Sequence, residues 1–322
     1  MFEIIRANFI IDCVERIYLD YAATTPLDEE VMEAMRPYFS EKFGNPGSLH
    51  FFGQEALKAI DGAREAIAKA IGADFGEIIF TASATEANNL ALRGTIKNLT
   101  GPDLARPKVI VSAIEHKSVL AAARDMERDG VEVAEIPVDE EGVVDLGVLR
   151  AELDKRTVLV SVMYVNNEIG TIQPIAEIAR VIEDFRKSSG SQLRCTPLFH
   201  ADASHALQCL DCDVNRIGVD MMTLCAHKIY GPKGVGALFV KRQDASSGGR
   251  YPINPIIRGG GREFGLRAGT ENVPGIVGFG KAVELAVQRR DKERERMTGI
   301  FKRFAGGLGS ACPKAKINGV SE

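Results

Sequence analysis

The chain has 322 residues, with 44 acidic against 40 basic side chains and a net charge of −4. That length can bury one large core and leaves residues over for part of a second unit. The charge balance, with no basic stripe interleaved with aromatic platforms, speaks against nucleic acid as the main partner. No membrane partner is expected either, because the apolar opening from Met1 to Cys13 is short and carries Glu3, Arg6 and Asp12.

An N-terminal arm is expected over residues 1–27. Amphipathic patterns then predict helices at about 28–41 and 53–71. Beyond them strand and helix alternate. Strands are predicted near 77–81, 108–112, 132–136, 157–163, 197–201, 219–224 and 235–240, with helices near 84–97, 117–128, 146–154, 174–188 and 213–217. Such alternation gives an α/β fold, a mostly parallel sheet flanked by helices on both faces. Ser188 to Gln192 reads as a surface connection, and Gln243 to Arg267 as a Gly-rich loop reaching toward a partner. A long helix follows from Pro274 to about Leu308. Its run from Arg289 to Arg296 mixes signs, as a solvated helix face does.

The chemistry gathers at strand ends. The apolar strand before Cys225 runs into Ala226-His227-Lys228, and Gly231-Pro232 and Lys233-Gly234 break it off. A lysine closing a buried strand is costly as a cation, and a lysine made neutral is a nucleophile for an aldehyde. Upstream, the strand Leu198-Phe199-His200-Ala201 ends in Asp202, facing the crevice where α/β sheets bind ligands. Pyridoxal phosphate needs such a carboxylate on its pyridine nitrogen. Thr81 to Asn89 reads as strand end, small-residue turn and helix start, which suits a phosphate, with Ala84 and Thr85 at the turn. After the strand Val109 to Ser112 comes His116, a candidate for lying on the cofactor ring and exchanging protons.

These segments stand in one order with Leu19-Asp20-Tyr21-Ala22-Ala23-Thr24-Thr25-Pro26, Gly44-Asn45-Pro46-Gly47-Ser48, Val165-Asn166-Asn167-Glu168 and Arg267-Ala268-Gly269-Thr270. Together the motifs resemble the cysteine desulfurases and selenocysteine lyases, class V aminotransferase-fold enzymes that use pyridoxal phosphate. The resemblance implies fold type I. It places a large cofactor-binding domain at 28–273, with a linking helix and the start of a small C-terminal domain at 274–322. It implies that Lys228 bonds the cofactor aldehyde, yields to the amino-acid substrate and shuttles the Cα proton. Asp202 would pair with the pyridine nitrogen, and His116 would stack on the ring. Asn166 would lie near the phenolic oxygen and the substrate carboxylate, and Ala84, Thr85, Cys225 and His227 around the phosphate. Thr270 would reach the phosphate of the other subunit, which makes a homodimer part of the expectation. L-cysteine would be converted to alanine. Its sulfur would pass to a protein cysteine as a persulfide, and on through an acceptor or scaffold protein to iron–sulfur cluster or thio-cofactor assembly. The same scaffold admits selenocysteine or cysteine lysis, or a non-catalytic subunit.

The sequence departs from the family in three places. His205 stands where the family carries a glutamine that donates to the phenolic oxygen. A histidine titrates near neutrality, so a pH-dependent proton balance is expected. Cys225 replaces a phosphate-binding serine, and a thiol is the poorer donor, so cofactor retention is expected to be weaker. The family's nucleophilic cysteine and the arginine for the substrate carboxylate lie beyond a segment resembling Ile317-Asn318-Gly319, so the chain reads as shortened and without that loop. Gly309-Ser310-Ala311-Cys312 imitates the catalytic loop, but its register makes Cys312 a helix-end residue. Cys209 and Cys212, with His200 and His205 before them, superficially resemble a metal set. A single pair is weak, and His205 belongs to the cofactor site, so no metal is expected. With Cys13, Cys195, Cys225 and Cys312 the cysteines number six, and no signal peptide is recognised, so the expected compartment is the cytoplasm.

Overall fold

A computed structural model describes residues 16–98, 106–189, 197–243 and 249–319. Cys13, Cys195 and residues 190–192 of the surface connection lie outside the described residues. Within them the strands β1 (Ile78–Thr81), β2 (Lys108–Ser112), β3 (Glu132–Ile136), β4 (Thr157–Ser161), β5 (Leu198–Asp202), β6 (Met221–Cys225) and β7 (Gly236–Val240) form a seven-stranded sheet. Its order is β1-β7-β6-β5-β4-β2-β3. Strands β2 to β6 pair in parallel, and β7 lies antiparallel between β6 and β1. Continuous runs such as Val109-Ile110-Val111 and Val158-Leu159-Val160 are what strands covered on both faces require, and those residues are fully or almost fully buried. Only the edge strand β3 is half exposed.

The helices are α1 (Glu29–Met35), α2 (Pro37–Ser40), α3 (Phe51–Ile71), α4 (Ala84–Asn98), α5 (Lys117–Met126), α6 (Leu146–Glu152), α7 (Ile175–Ser189), α8 (Val214–Ile217) and α9 (Val273–Ala311). One core unites α3, α7 and α9 against one face of the sheet through Ile60, Ile67, Ile178 and Phe279. A second, through Leu90, Val119 and Met126, seats α4 and α5 on the other. The single helix expected over 28–41 is two, because Pro37 has no N–H to continue α1 and instead takes the first turn of α2. Helix α9 crosses α3 closely. A Cβ on Gly280 would stand 2.7 Å from Ala63 Cα, so only glycine admits that approach. No helix among the described residues is long and apolar enough to cross a membrane.

Candidate active site

At the end of the sheet where β2, β4, β5 and β6 terminate lies a cavity of about 460 Å³. Of the expected site residues, Ala84, Thr85, His116, Asp202, His205, Cys225, His227 and Lys228 line it. Asn166 and Thr270 are not among the lining residues.

The wall after β1 is a helix start. Ser83 caps α4, its Oγ accepting from Glu86 N–H at 3.1 Å, while Glu86 Oε2 accepts from Ala82 N–H at 2.9 Å. These two bonds fix the turn. The N–H groups of Ala84 and Thr85 have no partner among the described residues, and they open on the cavity with the positive end of the helix dipole. Gly236 on β7 makes room for the turn, since a Cβ there would meet Ser83 C at 2.8 Å and Ala84 N at 2.9 Å.

The floor is a carboxylate held by neutral donors. Asp202 is buried at the end of β5. Its Oδ2 accepts from Asn88 Nδ2 at 2.7 Å, and its Oδ1 from Ser204 N–H at 3.0 Å. No ion pair reaches it among the described residues, so its charge is available to a cation in the cavity. Asn88 Nδ2 also donates to Ser118 Oγ at 2.8 Å, and that hydroxyl lies 2.8 Å from His116 Nδ1. Because Ser118 N–H also donates to Nδ1, at 3.1 Å, the imidazole carries its proton on Nε2. One chain of bonds thus joins Asp202, Asn88, Ser118 and His116. Sequence reasoning missed Asn88 and Ser118. The available signal was an asparagine on the apolar face of α4, between Ala87 and Leu90 and Ala91.

Lys228 closes the short 3₁₀ turn Ala226–Lys228 after β6. It is half-buried. Desolvation lowers its pKa below the ordinary lysine value, which raises the fraction of neutral amine. Its Nζ donates to the carbonyls of Ala22 and of Ala23, the latter at 2.9 Å. The N-terminal arm is stitched to this turn. Thr25 N–H and Oγ1 both donate to His227 O at 3.0 Å, Tyr230 N–H donates to Thr25 Oγ1 at 2.9 Å, and His227 Nδ1 lies 3.1 Å from Thr24 Oγ1.

The neutral-range titration expected of His205 does not hold. Burial first, and then the Lys228 charge, lower it to about 4, so it is a neutral imidazole across the physiological range. Burial pushes the Cys225 thiol up to about 12, so it lines the cavity as an uncharged thiol. Asn166 uses its amide on backbone: Oδ1 accepts from Glu168 and Ile169 N–H on its own loop, and Nδ2 donates at 3.0 Å to Ile114 O on the connection from β2 to α5. Its neighbour Asn167 reaches the cavity instead. Thr270 is exposed on a loop anchored at two points. There Glu263 pairs with buried Arg64 at 2.8 Å, and Arg267 Nε donates to Glu86 Oε1 at 2.9 Å. His200 is enclosed by Ser161 Oγ at 2.9 Å and Thr223 Oγ1 at 3.0 Å, inside the sheet. Cys312 follows α9, exposed at its end.

Pyridoxal phosphate presents an anion, a protonatable ring nitrogen and an aldehyde. The cavity offers unpaired helix-start amides, a buried carboxylate without a cation, and a partly desolvated amine. The residues present fit that group.

Comparison with known proteins agrees. The aminotransferase class-V family pattern matches residues 17–302, and the chain belongs to that family. Within the family it is 45% identical to the cysteine desulfurase IscS of Dictyoglomus turgidum over 303 residues, covering 94% of this chain and 72% of that one. The IscS of Rickettsia typhi is 41% identical over 304 residues, with 94% and 70% covered. Among solved structures, a NifS-like protein superposes with a TM-score of 0.84 at 37% identity over 92% of this chain and 76% of the other. SspA in complex with cysteine gives 0.74 at 39% identity, with 84% and 72% covered.

Proposed function

We infer that this chain is a pyridoxal-phosphate-dependent cysteine desulfurase, converting L-cysteine to L-alanine and passing the sulfur to a thiol. The observation that carries this is the meeting of Lys228, Asp202 and the α4 amide turn in one cavity, in a chain 45% identical to a cysteine desulfurase. When bound, pyridoxal phosphate supplies an electron sink for the substrate's Cα.

The protein's own groups do the rest. The Ala84 and Thr85 amides bind the phosphate at the helix start. Asp202, fixed by Asn88 and Ser204, holds a proton on the ring nitrogen. Lys228 Nζ, its pKa lowered by desolvation, would hold the cofactor at its aldehyde as a neutral amine and would take the Cα proton of the substrate. His116 presents Nε2–H as a proton donor. His205 donates a hydrogen bond without changing charge. In the net reaction the Cβ–S bond of cysteine breaks and an S–S bond forms on an acceptor thiol. Cysteine and a thiol become alanine and a persulfide.

Cys225 is the one cysteine lining the cavity among the described residues, and its thiol stays protonated, a poor nucleophile. We assign the acceptor to a thiol outside the cavity lining, on another segment or on a partner of the iron–sulfur assembly type. The reading extends to a large domain at 28–273 with an arm before it and a linking helix after it. It also includes a homodimer in which the exposed Thr270 serves the other subunit's phosphate, and the cytoplasm, whose reducing state suits the free thiols of Cys209, Cys212, Cys225 and Cys312.

The test is an absorbance titration with pyridoxal phosphate, followed by L-cysteine and assay of alanine with dithiothreitol as acceptor. A visible band that requires Lys228, together with alanine formation, is expected. A Lys228→Ala variant that keeps the same band would overturn the assignment.

A further inference from the structure

Glu115 precedes His116 in the chain but does not line the cavity, and it is 5% exposed. Its Oε1 accepts from Ser112 Oγ at 2.7 Å and from the backbone N–H of Met163. Ser112 ends β2, and Met163 lies just past the end of β4. The walls that carry His116 and Met163 are therefore joined through one carboxyl oxygen. The other oxygen, Oε2, is buried with no hydrogen-bond partner. Among the described residues no lysine, arginine or histidine pairs with Glu115. The packed elements offer little else that is charged. His116, at the start of α5, turns Nδ1 to Ser118, and His200 on β5 is occupied by Ser161 and Thr223. Asp202, at the end of β5, is the charge that acts on Glu115, and it is negative. A buried carboxylate with a bare oxygen, no cation and a like charge nearby is strongly disfavoured as an anion.

Building on the proposed cofactor site, we propose that Glu115 is a positioning residue that clasps the ends of β2 and β4 as an uncharged acid, fixing His116 and leaving Asp202 as the single charge at the cavity floor. Burial, with Asp202 adding to it, raises its pKa to about 8, while Ser112 and Met163 partly oppose the shift. The folded chain therefore holds a proton that the unfolded chain has released above the ordinary glutamate range. Stability attached to this proton is full in acid, declines as pH rises toward 8, and levels off above it.

The experiment compares the wild-type chain with Glu115→Gln, Glu115→Leu and Ser112→Ala, by thermal unfolding across pH and by pyridoxal phosphate affinity. Glutamine keeps the accepting oxygen without a titrating proton, so its stability advantage over wild type is expected to grow from pH 5 to about 8 and then flatten. At pH 7 the glutamine variant should bind the cofactor within about twofold of wild type, and the leucine variant about tenfold more weakly. Ser112→Ala, which removes one donor and leaves the carboxyl, should fall between them. A stability difference that is constant with pH, or glutamine as damaging as leucine, would overturn the proposal. If the pH-dependent difference holds and the wild-type chain binds no pyridoxal phosphate, the uncharged acid stands and the cofactor reading fails.

Discussion

Asn88 is the residue on which the electrostatics of the site converge. One amide nitrogen bonds the Asp202 carboxylate and the Ser118 hydroxyl, so it positions the floor carboxylate and, through Ser118, the ring of His116. Asn88→Leu should leave Asp202 short of a donor and free the imidazole to rotate. A hydrogen bond to a charged group is worth about 1.5–3 kcal/mol, so a loss of about tenfold or more in cofactor affinity is expected in an absorbance titration. The histidines set an acid limit. His200 and His205 are both lowered from 6.5 to about 4, chiefly by burial. The unfolded chain protonates first as pH falls, so the stability they lend is complete above 6.5 and is lost on descent toward 4. His205→Gln should flatten the curve of unfolding midpoint against pH in that window, by up to about 1.4 kcal/mol per pH unit. Lys228, Asp202 and His116 could be singled out because each ends, or closely follows, an apolar strand. Asn88 and Ser118 were not, because their bonds exist only once α4 lies beside α5. The neutrality of His205 was hidden for a related reason: the residues that bury and repel it come from separate strands.

At the level of elements, the Gly-rich loop is held by an ion pair that crosses from α3. Arg64 lies within the core, with Phe75, Phe80 and Phe264 rings 4.7–5.5 Å from its guanidinium carbon. It meets Glu263 through two bonds of 2.8 Å, and Glu263 Oε2 also accepts from Phe80 N–H at 2.8 Å. That anchorage sustains left-handed backbone at Glu263 (φ 50°) and Phe264 (φ 54°), a conformation costing about 1–3 kcal/mol per residue. Arg64→Met removes one half of a buried pair, and a loss of about 3–5 kcal/mol is expected from denaturant unfolding. Addition of Glu263→Gln in the same chain should recover part of it. The alternation of strands and helices was readable from apolar runs and breakers. The insertion of β7 between β1 and β6 was not, because strand order depends on which faces pack and not on local pattern. The break at Pro37 could have been read from its missing N–H.

Across the whole molecule, one group of exposed apolar side chains suits the homodimer proposed above. Phe39, Phe43, Leu49 and Phe51 are 64–93% exposed and neighbours in sequence, with Phe43 stacked on Phe52 at 5.9 Å. A second copy of the chain is the proposed cover. Phe43→Ser together with Phe51→Ser should shift the mass measured by light scattering from dimer toward monomer. An unchanged mass would remove this patch from the interface. Such a surface was illegible beforehand, since a phenylalanine in a sequence does not say whether it faces a core or a partner.

The arm carries one more consequence. The bonds between Thr25 and His227 join residues 202 positions apart, and the Lys228 amine rests on carbonyls of the same arm. Contacts of such long range form late, after most of the intervening chain exists. During synthesis the lysine emerges long after the arm that will hold it, and before the two meet it has the chemistry of any solvated lysine. For the proposed role of Lys228, the timing of reactivity would thus follow from sequence separation: an aldehyde that met the half-made chain would find no pocket to prefer.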